Sequence, residues 1–163
     1  MHAIGIDIGG TKIAGAVVSE TGEILVEERV ATQAGDSEAI IDAVVGMIER
    51  LALGRAVTAA GVAAPGFIDA KQSTVYYTPN INWRNEPLRE RLLQRLNLDI
   101  TIDNDANAAG WAEYRFGAGR NLNDMTMLTI GTGVGGAIVS QGRLFRGGFG
   151  TGAELGHLRV VPD

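Results

Sequence analysis

The sequence predicts an α/β fold built on a mixed sheet, and three observations carry that prediction. Short apolar runs of strand length accompany a long amphipathic helical pattern. A strand, a glycine-rich turn, a second strand and a tight turn occur twice, once from Ile6 and again from Met127. Between the copies, Thr101-Ile-Asp-Asn-Asp-Ala-Asn107 takes an apolar strand straight into a helix, with carboxylates and amides at the junction. Ligands of open α/β sheets sit beyond the carboxyl ends of the strands, so this junction points its polar groups at a site.

Residues 3–8 read as a buried strand, which Gly9-Gly10-Thr11-Lys12 turns into a second strand at 13–18. Thr21-Gly22 leads to a third strand at 23–30, completing an antiparallel meander. Asp7 lies inside the first strand, where a carboxylate is costly to bury without a partner. It reads either as a cap on the glycine turn or as a group facing a metal ion and phosphates. Asp36 or Ser37 caps a helix running to about residue 53, with Ile40, Val44, Met47, Ile48 and Leu51 as its core-facing stripe.

Residues 57–64 form a small-residue strand that ends at Pro65-Gly66-Phe67. Pro65 halts pairing there, and Gly66 permits an unusual backbone angle or a close ligand. Residues 68–85 read as irregular, with a short strand at 75–77 and a polar loop at 79–83 that holds Asn80 and a Trp83 anchor. Glu86-Pro87 suits the first turn of a helix with Leu88, Leu92, Leu93 and Leu96 buried and Arg89, Arg91 and Arg95 solvated. A strand at 99–103 precedes a helix at 104–116, whose Ala106, Ala108, Ala109 and Ala112 form a small face for close packing. Gly117-Ala-Gly119 ends that helix. Polar residues 120–124 mark the expected boundary between a domain at 1–120 and the incomplete start of a second at 121–163.

Composition narrows the function. With 45% hydrophobic and 20% charged residues the chain is globular rather than disordered. A net charge of -5 and the lack of a basic run oppose a nucleic-acid partner. The absence of cysteine excludes a disulfide framework and a thiolate metal site within this chain. No signal-like start and no apolar run of membrane-spanning length occur, so the expected location is cytoplasmic, with no membrane partner.

The 23 glycines cluster at the two hairpin turns and at 147–152, where backbone must bend sharply or approach a ligand closely. A glycine turn lets successive N–H groups converge on an anion, and two facing hairpins can grip a polyphosphate. Neither turn is a Walker loop or a dinucleotide fingerprint, since each leads into a strand. Together with Asp7 and Asp105 they point to phosphoryl transfer. Asn and Asp are also favoured helix caps, so the 104–107 stretch alone does not separate a cap from a site. Glu154 and His157, three apart among glycines, can converge on one ligand if the segment is helical or tightly turned.

With these motifs assembled, the sequence resembles the ROK family of sugar kinases in the actin-like, hexokinase-like (ribonuclease H-like) superfamily. The resemblance rests on Asp7-Ile-Gly-Gly-Thr-Lys12, Ala64-Pro-Gly66, Asn104-Asp-Ala-Asn107, Gly131-Thr-Gly-Val-Gly-Gly136 and Gly152-Ala-Glu-Leu-Gly-His157. The run Trp111-Ala-Glu-Tyr-Arg-Phe-Gly-Ala-Gly119 looks most like the glucokinase branch. It implies ATP-dependent phosphorylation of the 6-hydroxyl of glucose, with Asp105 as general base. Asn104, Glu154 and His157 would bond sugar hydroxyls, and Gly66 and Asn80 would close the sugar pocket. Asp7 would help hold magnesium through water. Gly9, Gly10, Thr11, Lys12, Gly131, Thr132, Gly133 and Gly135 would cradle phosphates.

The resemblance also implies a chain that is the N-terminal half of its relatives, which as full-length proteins are expected to be homo-oligomers. In zinc-containing relatives the histidine matching His157 shares a tetrahedral site with downstream cysteines, so no properly formed zinc site is expected here. A ROK sugar-responsive repressor is the alternative, opposed by the acidic charge and by a first strand that begins before any helix-turn-helix. Fructose, mannose, N-acetylmannosamine or N-acetylglucosamine as acceptor, and polyphosphate as donor, remain open at this point.

Overall fold

The computed structural model describes residues 2–131, 133–159 and 161. The chain opens with β1 (His2–Ile8), β2 (Lys12–Ser19) and β3 (Ile24–Ala31), followed by α1 (Ser37–Ala52) and β4 (Val57–Ala64). Three short strands, β5 (Phe67–Ile68), β6 (Val75–Tyr77) and β7 (Arg84–Glu86), lead to α2 (Leu88–Leu93) and β8 (Asp99–Asn104). Then come α3 (Asp105–Phe116), β9 (Met125–Ile130), β10 (Val134–Ser140), β11 (Arg143–Leu144) and a 3-10 turn at Leu155–His157. By packing the chain divides into two compact units, Met1–Asp105 and Ala106–Asp163. That division falls before α3, whereas the sequence places its boundary after it.

The first unit holds a five-stranded mixed sheet in the order β3-β2-β1-β4-β8. Its opening strands are antiparallel, while β1, β4 and β8 run parallel. Alternation decides the faces: Ile4, Ile6 and Ile8 of β1 are buried, and Ala3, Gly5 and Asp7 lie on the open side. Helix α1 covers the buried side with Ile40, Ile41, Val44, Val45, Met47, Ile48 and Leu51. Asp36 caps it by accepting a hydrogen bond from the Ala39 amide at 3.0 Å. Each fully buried aliphatic side chain contributes about 1.5–3 kcal/mol, so this stripe is the main source of cohesion for the unit.

The segment expected to be irregular folds into a small antiparallel sheet, β5-β6-β7. Its strands of two or three residues are too short to show a period, which is why sequence patterning finds only β6. Trp83 is buried, and its indole N–H donates to Ser37 Oγ at 2.8 Å, tying the loop to the start of α1. Ser37 in turn donates to Glu86 Oε2 at 3.1 Å.

Helix α2 departs from expectation in three ways. Pro87 is its N-cap rather than a first-turn residue. Leu93 is exposed, because a six-residue helix brings only Leu88 and Leu92, four apart, onto its buried face. Two of its arginines are braces rather than a solvated fringe: Arg91 pairs with Glu86 at 2.8 Å and with Glu38, and Arg89 donates to the Ile100 carbonyl at 2.7 Å. Arg95 bonds Asp42 at the surface.

In the second unit β9, β10 and β11 form an antiparallel sheet in the order β11-β10-β9. The close approach of α3 is made by Gly110, where an added Cβ would lie 2.2 Å from Ala137 Cβ. Ala109 and Ala112 are exposed, so the expected alanine face is not the packing face. Gly110 wins because removing Cβ altogether permits a shorter approach than alanine does.

Under α1, Gly15 leaves no space for a side chain, since a Cβ there would lie 2.5 Å from Met47 Sδ and 2.8 Å from Ile6 Cδ1. We predict that Gly15→Val destabilises the first unit by about 1–3 kcal/mol through overpacking. Urea unfolding checks this; an unchanged midpoint would contradict the packing described.

Candidate active site

The site-forming end of the first unit follows from strand direction. Register places Asp7 opposite Ala14 on one side and Ala63 on the other, and Ala63 opposite Asp103. Neighbouring strands are about 4.8 Å apart, so Asp7 and Asp103 stand about 10 Å apart in one row with the small Ala63 between them. Asn104 ends β8 and Asp105 begins α3, one residue later than expected for the helix.

The first glycine turn is closed by Gly9 N–H donating to the Lys12 carbonyl at 2.9 Å. Thr32 braces it from the tail of β3, its hydroxyl donating to the Gly9 carbonyl at 2.7 Å and its N–H to the Thr11 carbonyl at 3.0 Å. Thr11 and Lys12 are left exposed. A Cβ on Gly10 would lie 3.0 Å from Asn80 Cβ, so the turn and the Asn80 loop are in contact.

Gly66 has φ 93°, and a Cβ on it would lie 2.1 Å from the Tyr77 carbonyl oxygen. Both facts require glycine here. Its carbonyl accepts from Asn104 Nδ2 at 3.0 Å, which joins the loop after β4 to the end of β8. The structure thus brings Asp7, Gly9, Gly10, Thr11, Lys12, Gly66, Asn80, Asn104 and Asp105 together in one unit.

Partial burial pushes the Asp7 carboxyl above the usual carboxylate range, and the nearby Asp105 carboxylate adds to this, while Lys12 opposes it. The Asp7 side chain nonetheless lies on the open face, and solvent limits the size of the effect. A cation close to the pair relieves such repulsion. Magnesium, which needs only one or two carboxylates beside water and substrate phosphates, fits Asp7 on this ground. The chain has no cysteine, and among the described residues no three His, Asp or Glu gather for a metal.

The second unit carries the remaining candidates. Gly131 N–H donates to the Gly133 carbonyl at 2.9 Å, closing the second glycine turn much as Gly9 closes the first. Thr132 lies outside the described residues. At Gly135 a Cβ would lie 2.7 Å from Thr129 Oγ1, so packing within the hairpin also requires this glycine. Glu154 caps the 3-10 turn that carries His157, whose N–H donates to the Glu154 carbonyl at 3.1 Å. Gly156 lets that turn press against β10, since a Cβ would lie 2.1 Å from the Val134 carbonyl oxygen.

Sequence reasoning missed three supporting residues: Thr32, Gln72 and Asp103. Gln72 Nε2 donates to both the Ile102 carbonyl and Asp103 Oδ2 at 3.1 Å, and Asp103 Oδ1 accepts from the Asn104 amide at 2.9 Å. Asp103 lies within the Thr101 to Asn107 junction, where its acidity is a usable signal. Nothing in spacing marks Thr32 or Gln72, which reach the site from 23 and 31 residues away in sequence.

The raised Asp7 carboxyl fixes the sign of a pH effect. The folded state holds this proton more tightly than the unfolded chain, so the contribution is most favourable at low pH and is lost as pH rises through the window just above 3.8. We predict that Asp7→Asn flattens this part of the stability profile and raises Tm at pH 7. A lower Tm at pH 7 would show that the Asp7 charge is stabilising instead.

The family model described as ROK family matches residues 3–163. A glucokinase of Streptomyces coelicolor is 48% identical over 160 residues, covering 98% of this chain and 50% of the relative. The crystal structure of a ROK family glucokinase from Streptomyces griseus, in complex with glucose and AMPPNP, superposes with a TM-score of 0.92 at 49% identity, covering 100% of this chain and 52% of that one. A xylose repressor of Caldicellulosiruptor bescii is 33% identical over 163 residues, covering 96% of this chain and 41% of the relative. The chain therefore spans about half the length of the glucokinases it matches.

Proposed function

The chain belongs to the ROK family, with the actin-like, hexokinase-like fold of its sugar kinases, and on that premise we propose that the protein transfers the γ-phosphoryl group of ATP to the 6-hydroxyl of glucose. The observation that carries this reading is Asp105 at the first position of α3, electrostatically coupled to Asp7 beside the braced glycine turn. Asp105 accepts the hydroxyl proton as the attack proceeds and orients the oxygen, and positioning of this kind supplies much of the acceleration in phosphoryl transfer. Asn104, Glu154 and His157 bond sugar hydroxyls, and Gly66 and Asn80 close the pocket.

We assign phosphate binding to Gly9, Gly10, Thr11 and Lys12 in the first glycine turn and to Gly131, Thr132, Gly133 and Gly135 in the second. Magnesium, held by Asp7 through water, neutralises charge on the transferred phosphates. Residues 1–120 form the first domain of the enzyme and 121–163 open the second. The protein acts in the cytoplasm, in the first step of glucose breakdown.

Similarity to the glucokinases favours glucose over other hexoses and ATP over polyphosphate as donor. A sugar-responsive repressor is the second reading, favoured by the xylose-repressor match and opposed by the net charge of -5. Retardation of DNA at moderate salt would support it.

The test is sugar-dependent ADP formation with glucose and competing hexoses. We predict that glucose is the preferred acceptor and that Asp105→Asn lowers turnover by about 10²–10⁴-fold, with glucose affinity nearly unchanged. Equal turnover in wild type and Asp105→Asn would remove the base from Asp105.

A further inference from the structure

Strand β8 is an outer strand of the five-stranded sheet, and such an edge presents backbone groups that no neighbouring strand pairs. Side chains take two of its carbonyls. Ile100 accepts from Arg89 Nε at 2.7 Å, and Ile102 accepts from Gln72 Nε2 at 3.1 Å. The two bonds seal the same edge, but only the second continues into the site.

Gln72 Nε2 also donates to Asp103 Oδ2 at 3.1 Å, and because both partners are acceptors the orientation of the amide is fixed. The other Asp103 oxygen accepts from the Asn104 N–H at 2.9 Å, and Asn104 Nδ2 donates to the Gly66 carbonyl at 3.0 Å. A continuous chain of bonds therefore runs from Gln72 through Asp103 and Asn104 to Gly66. It clamps the end of β8 between the turn after β5 and the loop after β4.

The turn that delivers Gln72 is itself fixed. Asp69 Oδ1 accepts from the Ser73 and Thr74 amides at 2.7 and 2.9 Å, and the Gln72 N–H donates to the Asp69 carbonyl at 2.9 Å. Gln72 has φ 53°, a left-handed conformation that backbone sterics would give to glycine or asparagine. Turn geometry therefore does not explain a glutamine at this position. The reach of its amide to β8 does.

We propose that Gln72 and Asp103 are positioning residues for the sugar site: neither touches the substrate, and together they set the Asn104 amide and the start of α3 at Asp105. With Nδ2 committed to Gly66, the Asn104 side chain is held in one orientation at the end of β8. Asp103 holds the backbone one residue before the base, and Gln72 holds Asp103. The sugar half of this statement rests on the kinase reading above. The clamp itself consists of bonds that exist without a ligand.

The test compares Gln72→Leu with Arg89→Leu, which removes a bond from the same edge but leaves the clamp intact. Two readouts are taken on the full chain: site-resolved amide exchange by NMR without ligand, and glucose affinity by calorimetry. In Gln72→Leu we expect exchange at the Asn104 amide to quicken about tenfold, with β1 and β2 amides unchanged, and glucose affinity to fall about tenfold. Arg89→Leu should leave Asn104 exchange and glucose affinity near wild type.

Equal effects of the two variants on Asn104, or an exchange increase spread over the whole sheet, would reduce Gln72 to an ordinary edge cap and overturn the proposal. Unchanged Asn104 exchange in Gln72→Leu would overturn it as well. Should the wild-type chain bind no hexose, the kinase reading of this chain fails, and the ligand-free exchange measurement still decides the clamp.

Discussion

Parallel pairing of β1, β4 and β8 is the constraint on which the rest of the first unit depends. Parallel strands all end at the same edge, so the segments that follow them are delivered to one place. The glycine turn after β1, Gly66 after β4 and Asn104-Asp105 after β8 therefore lie at that edge, where Asn104 bonds the Gly66 carbonyl. The arrangement requires long return connections, because a parallel neighbour cannot be reached through a tight turn. Helix α1 serves the first return and covers the sheet. The small β5-β6-β7 sheet with α2 serves the second, and it also supplies Asn80 and Gln72 to the site.

What the sheet gains in stability on one face it leaves open on the other. The buried side carries isoleucine and valine under α1, while the open side carries Ala3, Gly5, Asp7, Gly61 and Ala63. Burial and the neighbouring Asp105 carboxylate both raise the Asp7 carboxyl, so the charge of Asp7 opposes folding. Local rules broken in this way are expected where a site must be ready before its ligand arrives. Lys12 reduces the conflict without abolishing it.

Most of the framework was legible because it rests on periodicity. The alternation of β1 and β2, the stripe of α1 and the duplicated hairpin are long enough to show their pattern, and the polar junction at 103–107 lies where an α/β sheet places ligands. The misses share a physical cause. Strands β5 and β7 are shorter than any period, and the packing faces of α2 and α3 are set by neighbours distant in sequence. Arg89, Arg91, Thr32 and Gln72 read as polar surface until their partners on other elements are known. Gly66 reads as a special position after Pro65, but only the Tyr77 carbonyl behind it explains why no side chain fits.

We propose that the strand ends of the first unit form a sugar site around Asn104 and Asp105, tied to Gly66 and bordered by Asn80. Backbone amide shifts of the labelled chain, recorded by NMR as glucose is added, test it most directly. Saturable shifts concentrated at Gly66, Asn80, Asn104 and Asp105 are expected, with α2 and the far end of the sheet unaffected. Shifts scattered over the surface without saturation, or saturable shifts centred on another part of the chain, would contradict it.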